Sequence, residues 1–140
     1  TDVIDLYQIH WPERHVPAFG AVYYDPKKES SQTSMHEQLE ALTQLVKAGK
    51  VRHIGHSNYS AEQARRAQSI GKRLGLKTFV SAQNEYNLLT RDAENGILPA
   101  AVDMGLGFLP WFPLYNGLFT GKFNREGGPA DSRIMRIRKQ

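Results

Sequence analysis

A strand-like run recurs every 28 residues, beginning at 51, 79 and 107, and a helix-patterned segment separates each from the next. A period of this size is one βα unit, and repeated units build a parallel sheet through right-handed crossovers. The runs are Val51–Ile54, Phe79–Gln83 and Leu106–Trp111, preceded by a first at Val3–Ile9. The first interval is longer because it holds an inserted loop over 11–33, where Pro12, Pro17, Gly20 and Pro26 block regular structure.

Each connecting segment carries its own start and stop signals. Met35, Leu39, Leu42 and Val46 fall on one helical face, Ser34 with Glu37 makes a capping box, and Gly49 closes the helix. The second segment points Ala64, Ala67, Ile70 and Leu74 inward, between the box Ser60–Gln63 and the stop at Gly75. The third begins near Thr90, carries Ile97, Leu98 and Val102, and stops at Gly105. Gly96 and Pro99 interrupt it and allow two short pieces.

A parallel sheet of this kind is either open and doubly wound or curved into a barrel. No G-x-G-x-x-G follows any strand, so the dinucleotide fingerprint of the doubly wound fold is missing and a barrel is favoured. A complete barrel typically takes ~250 residues. The expected fold class is therefore α/β, of (β/α)8 TIM-barrel type, as a partial barrel of four parallel strands and three helices over 1–140.

Composition removes several chemistries. There is no cysteine, so disulfides, thiolate metal sites and a Cys nucleophile are excluded. The net charge of +4 sits in the last eight residues, with Arg133, Arg136, Arg138 and Lys139, and the body balances 14 bases against 14 acids. A basic face with interleaved aromatics is absent, so no nucleic-acid partner is expected, and the tail reads as a solvated segment. No apolar run approaches the ~18 residues of a membrane span, and no basic stretch followed by an apolar run is visible at Thr1, so no signal peptide is expected. The expected setting is cytoplasmic.

In parallel βα folds the chemistry gathers at the C-terminal ends of the strands. Those ends carry His10-Trp11, Ser57-Asn58, Gln83-Asn84-Glu85 and Trp111-Phe112. Amides can pair with a carboxamide and an indole can stack on a planar ring, so this set suits a planar polar ligand. Taken singly each has a plainer reading: His10 as a structural histidine, Ser57-Asn58 as a helix cap, Trp111 as core filling. Their coincidence at one end of successive strands favours a site. The histidines His10, His15, His36, His53 and His56 have no metal-ligand spacing, and no G-x-S-x-G nucleophile elbow is present.

Four motifs carry a resemblance. They are I-D-L-Y-Q-I-H-W-P at 4–12, G-K-V-R-H-I-G-H-S-N-Y-S at 49–60, Q-N-E-Y-N-L-L at 83–89 and L-P-W-F-P-L-Y-N-G-L-F-T-G-K-F at 109–123. In this order and spacing the chain resembles the aldo-keto reductases, from their fourth strand to the loop after the seventh. The branch it is most similar to contains bacterial reductases and the potassium-channel β subunits. The resemblance implies reduction of a small aldehyde or ketone with NADP(H), with NAD(H) left open. It implies that His10 is the catalytic histidine orienting the carbonyl, and that Trp11 lines the substrate pocket. Ser57, Asn58 and Gln83 would hold the nicotinamide carboxamide while Trp111 stacks on the ring. Phe112, Pro113, Leu114, Tyr115, Asn116 and Lys122 would belong to the loop covering the pyrophosphate, and Arg133 would be a further phosphate contact, within a covering loop and tail over 112–140.

Some positions depart from the family pattern. His56 stands where an apolar residue or Thr is usual, Phe112 where Ser is common, and Tyr115-Asn116 replaces a small pair. The family's catalytic Tyr, Lys and Asp lie on earlier strands, outside these 140 residues, so the chain alone is expected to be inactive. The alternatives are a non-catalytic half-barrel serving as a weak nucleotide binder or interaction module, and an unrelated phosphate-binding barrel lyase or isomerase. A half-barrel exposes two sheet edges and an inner face, including Ile4, Leu6 and either Val80 or Ala82, so self-association is expected.

Overall fold

The computed structural model describes residues 1–13, 25, 27 and 33–137. Most of the loop over 11–33 and the last three residues lie outside the described part. The elements follow in the order β1 (Ile4–Ile9), α1 (Met35–Lys47), β2 (Val51–Ser57), α2 (Ala61–Leu74), β3 (Ser81–Glu85), α3 (Ile97–Met104), β4 (Gly107–Trp111) and α4 (Arg133–Ile137). Short 3-10 segments at Asp92–Asn95 and Tyr115–Thr120 precede α3 and follow β4.

The four strands form one parallel sheet in the order β1-β2-β3-β4. Helix α1 packs on α2 and α2 packs on α3. Helices that touch in sequence order over strands that pair in sequence order have one winding sense and no switch point. That is the arrangement of a barrel wall rather than of a doubly wound sheet.

Local signals explain the helices. Ser34 Oγ accepts from the Glu37 backbone N–H at 3.2 Å while the Glu37 carboxylate accepts from the Ser34 N–H at 3.0 Å. These bonds hold the Glu37 carboxyl below its ordinary pKa. Ser60 and Gln63 repeat the reciprocal pair at the start of α2. Such boxes satisfy two orphan backbone donors each. Gly105 ends α3 with φ +68°, a left-handed conformation that costs glycine little.

Two apolar clusters lie between sheet and helices. Leu39, Leu42, Val51, Ile54, Tyr59, Ala67 and Phe79 form the first, under α1 and α2. Ala64, Ala82, Ala93, Ile97, Ala101 and Leu106 form the second, under α2 and α3. His56 is fully buried, stacked on Tyr59 at 4.6 Å between ring centroids and edge-on to Phe79 at 5.1 Å. Among the described residues neither ring nitrogen has a hydrogen-bond partner, and burial pushes the imidazole pKa down to about 4.

Several sequence expectations need correction. β2 runs on through Gly55, His56 and Ser57 instead of ending at Ile54, and β3 begins at Ser81, leaving Phe79 before the strand as a core residue. The third helical segment does divide, at Gly96. Leu74 and Val102, placed inward by periodicity, are exposed: Val102 falls on the face of α3 opposite the buried Ile97, Ala100 and Ala101, and Leu74 is the last residue of α2. Ala82 is buried under the helices, so Val80 is the exposed member of that pair. The tail is not merely solvated. Its first part is α4, which packs on the 3-10 segment after β4.

Candidate active site

One strand register assembles the site. Gln8 pairs with Gly55, Gly55 with Ser81, and Ser57 with Gln83, so these residues share one face of the sheet. Above them the strand ends open into a cavity of about 680 Å³ lined by Gln8, His10, Trp11, Ser57, Asn58, Gln83, Trp111 and Phe112. That volume is within the usual range of small-molecule sites. Seven residues expected from sequence, from His10 to Phe112, therefore meet around one space. Pro113, Leu114, Tyr115, Asn116 and Lys122 follow Phe112 along the chain but do not line the cavity.

Asn58 is the bracket of the site. Its backbone adopts φ +61°, which ends β2 and which Asn tolerates better than most residues. From there its Nδ2 donates to the His10 carbonyl at 2.9 Å and to Ser57 Oγ at 3.1 Å, and its Oδ1 accepts from Trp111 Nε1 at 3.1 Å. Ser57 Oγ in turn donates to the Gln83 carbonyl at 2.8 Å, and the Asn58 N–H reaches the same oxygen at 2.9 Å. The side-chain amide ties three strand ends, and the Asn58 N–H with Ser57 Oγ brings in the fourth. The Asn58 and Ser57 oxygens keep lone pairs for a ligand, but their protons are committed.

The remaining polar groups are less engaged. The Gln83 side-chain amide has no hydrogen bond among the described residues, although its carbonyl is used twice. Beneath it, Gln8 Nε2 and Ser81 Oγ are buried without hydrogen-bond partners among the described residues. A Cβ on Gly55 would lie 2.2 Å from Ser81 Oγ and 3.1 Å from Gln8 Cγ, so glycine keeps room for both groups. Sequence reasoning missed Gln8 as a lining residue. The available signal was its position two residues before His10, on the same strand face.

His10 and Trp11 rings lie 5.3 Å apart at the edge of the cavity, and Trp111 meets Phe112 edge-on at 4.9 Å. Phe112, Tyr115 and Asn116 all have positive φ. Backbone strain of this kind costs of order 1–3 kcal/mol per residue and clusters at functional sites. Arg133, from the start of α4, lies over the Phe112 ring with its guanidinium carbon 5.3 Å from the centroid. No group of three or more His, Cys, Asp or Glu is arranged for a metal among the described residues. Among them too, no helix is long and apolar enough to cross a membrane.

The family model described as "Aldo/keto reductase family" matches residues 1–136. The chain belongs to this family. The protein tas of Escherichia coli (strain K12) is 35% identical over 133 residues, covering 95% of this chain and 38% of its own length. The aldo-keto reductase YhdN of Bacillus subtilis (strain 168) is 36% identical over 126 residues, covering 90% of this chain and 31% of its own. A solved glycerol dehydrogenase from Gluconobacter oxydans superposes with a TM-score of 0.69 at 32% identity, over 99% of this chain and 36% of that one. The chain spans about a third of the length of these relatives. Membership confirms the partial-barrel reading and removes that of an unrelated barrel lyase or isomerase.

Proposed function

We propose that the cavity holds the nicotinamide end of NADP(H), or of NAD(H), and that the protein is an oxidoreductase reducing small aldehydes or ketones. The observation that carries this reading is the Gln83 amide, which makes no hydrogen bond among the described residues and shares a cavity of suitable size with the Trp111 indole. A carboxamide offers one acceptor and two donors, which a free amide and the Asn58 and Ser57 oxygens complement. The chain's own residues then bind and orient. Gln83, Ser57 and Asn58 fix the rotation of the ring, Trp111 covers it, and His10 with Trp11 shapes the space for a carbonyl. When bound, the nicotinamide supplies the hydride. Family membership favours this oxidoreductase reading over a non-catalytic interaction module, and a cytoplasmic location is its natural setting.

NADPH titrated into the 140-residue chain is expected to quench tryptophan fluorescence. Trp111→Ala should weaken binding several-fold, since an aromatic stack contributes about 0.5–1.5 kcal/mol beyond its area. Unchanged affinity in both Trp111→Ala and Gln83→Ala would overturn the placement. No aldehyde turnover is expected from these residues alone, because the proton-donating partners lie outside them. Turnover abolished by His10→Ala would show otherwise.

We further propose that the isolated 140-residue chain self-associates. β1 and β4 are both edge strands, and Ile4, Tyr7 and Leu109 on them are 44%, 43% and 41% exposed. Unpaired edges beside apolar side chains template association with another chain. Light scattering at micromolar concentration should report a dimer or larger. A stable monomer there would refute the proposal.

A further inference from the structure

We infer that Phe112 is a positioning residue, and that it fixes the Arg133 guanidinium at the rim of the cavity. This makes it a specificity determinant for ligands whose planar polar head carries an anionic tail of the diphosphate class. The inference rests on the nicotinamide reading for the head and adds a role for a side chain. The resemblance implied no more for position 112 than membership of the covering loop.

Phe112 belongs to the cavity lining, and the Arg133 guanidinium carbon lies 5.3 Å from its ring centroid, one side chain away from that lining. Arg133 is exposed and makes no ion pair among the described residues. The Phe112 ring holds it in a cation–π contact. The ring itself is well anchored. Its residue sits at φ +54°, its carbonyl accepts from the Tyr115 N–H at 2.8 Å, and its edge-on contact with Trp111 ties it to the indole that Asn58 holds. The segment bearing Arg133 is fixed as well, by Ser132 N–H to the Pro129 carbonyl at 2.9 Å and Arg136 Nε to the Asp131 carbonyl at 2.8 Å. A guanidinium held over an aromatic face keeps its N–H edges free, so it can stack on Phe112 and still bind an anion. Serine at 112 offers no such face.

The test compares two ligands by calorimetry on the 140-residue chain: NADPH, and dihydronicotinamide riboside, which has the same head and no phosphate. Phe112→Leu keeps bulk but removes the aromatic face, and is expected to weaken NADPH about fivefold, the equivalent of ~1 kcal/mol. The riboside should change less than twofold, and Phe112→Tyr should restore NADPH affinity. Arg133→Ala should match Phe112→Leu, and combining the two should add nothing further. Equal weakening of both ligands by Phe112→Leu, or fully additive losses in the double variant, would overturn the inference. If the unmodified chain binds neither ligand, the nicotinamide reading fails. Inorganic pyrophosphate then decides: a several-fold loss in Phe112→Leu supports the Phe112–Arg133 pairing, and no loss, or no binding, rejects it.

Discussion

Asn58→Ala is expected to destabilise the chain by roughly 3–4 kcal/mol and to open the cavity. Three side-chain hydrogen bonds disappear at once, to the His10 carbonyl, Ser57 Oγ and Trp111 Nε1. Each contributes about 1 kcal/mol net, and alanine at a left-handed position adds about 1 kcal/mol more. Asn58→Gly separates the two causes. It keeps the φ of +61° without strain and loses only the side-chain bonds, so it should be roughly 1 kcal/mol less damaging. Urea unfolding followed by tryptophan fluorescence measures both, and it also reports Trp111 once its indole N–H is released. A loss under about 1 kcal/mol for Asn58→Ala would mean that the bracket is incidental to the fold.

The second large effect is a pH dependence set by His56. Its pKa falls from 6.5 to about 4 on folding, because the buried ring has no partner to support a charge. Above pH 6.5 the imidazole is neutral in both states and contributes nothing to the slope. Between 6.5 and 4 the unfolded chain binds the proton and the folded chain does not, so stability falls as pH falls. Below about 4 the loss is complete, at about 3 kcal/mol. Tyr59, stacked on the ring, is pushed up to about 12 and stays neutral throughout. His56→Leu should remove this portion of the profile, leaving the part that carboxylates such as Glu37 contribute. The check is the difference between the two proteins in urea titrations from pH 7 to 4. Parallel curves would show that His56 is protonated in the folded state.

Signals confined to one helix turn could be read directly. The boxes at Ser34–Glu37 and Ser60–Gln63 and the stops at Gly75 and Gly105 are local, and each took the form its sequence implies. The cavity was legible for a different reason. A parallel sheet brings all its C-terminal strand ends to one side, so polar residues at those ends must meet whatever the details of packing. What escaped depended on tertiary surroundings. Gly55-His56-Ser57 lacks the look of a strand, yet it pairs with β1 and β3 on both sides. Val102 and Leu74 are apolar, yet Val102 sits on the outward face of α3 and Leu74 at the end of α2. Gln8 is polar in an apolar strand, and only its register with Gly55 shows that it faces the cavity. Arg133 meets Phe112 across twenty residues, through a loop whose path no spacing rule predicts.

The sequential strand order also bears on how the chain assembles. Every strand pairs with its immediate neighbour in sequence, so no contact in the sheet waits on a distant one. Gly55 meets Ser81 and Ser81 meets Gly107, both across short crossovers, whereas Ile4 must close the longer one to Val51. By loop-closure entropy that extra length costs only about 0.5 kcal/mol. The inserted segment therefore burdens the folding search lightly, and each strand can find its partner across a crossover of similar entropic cost.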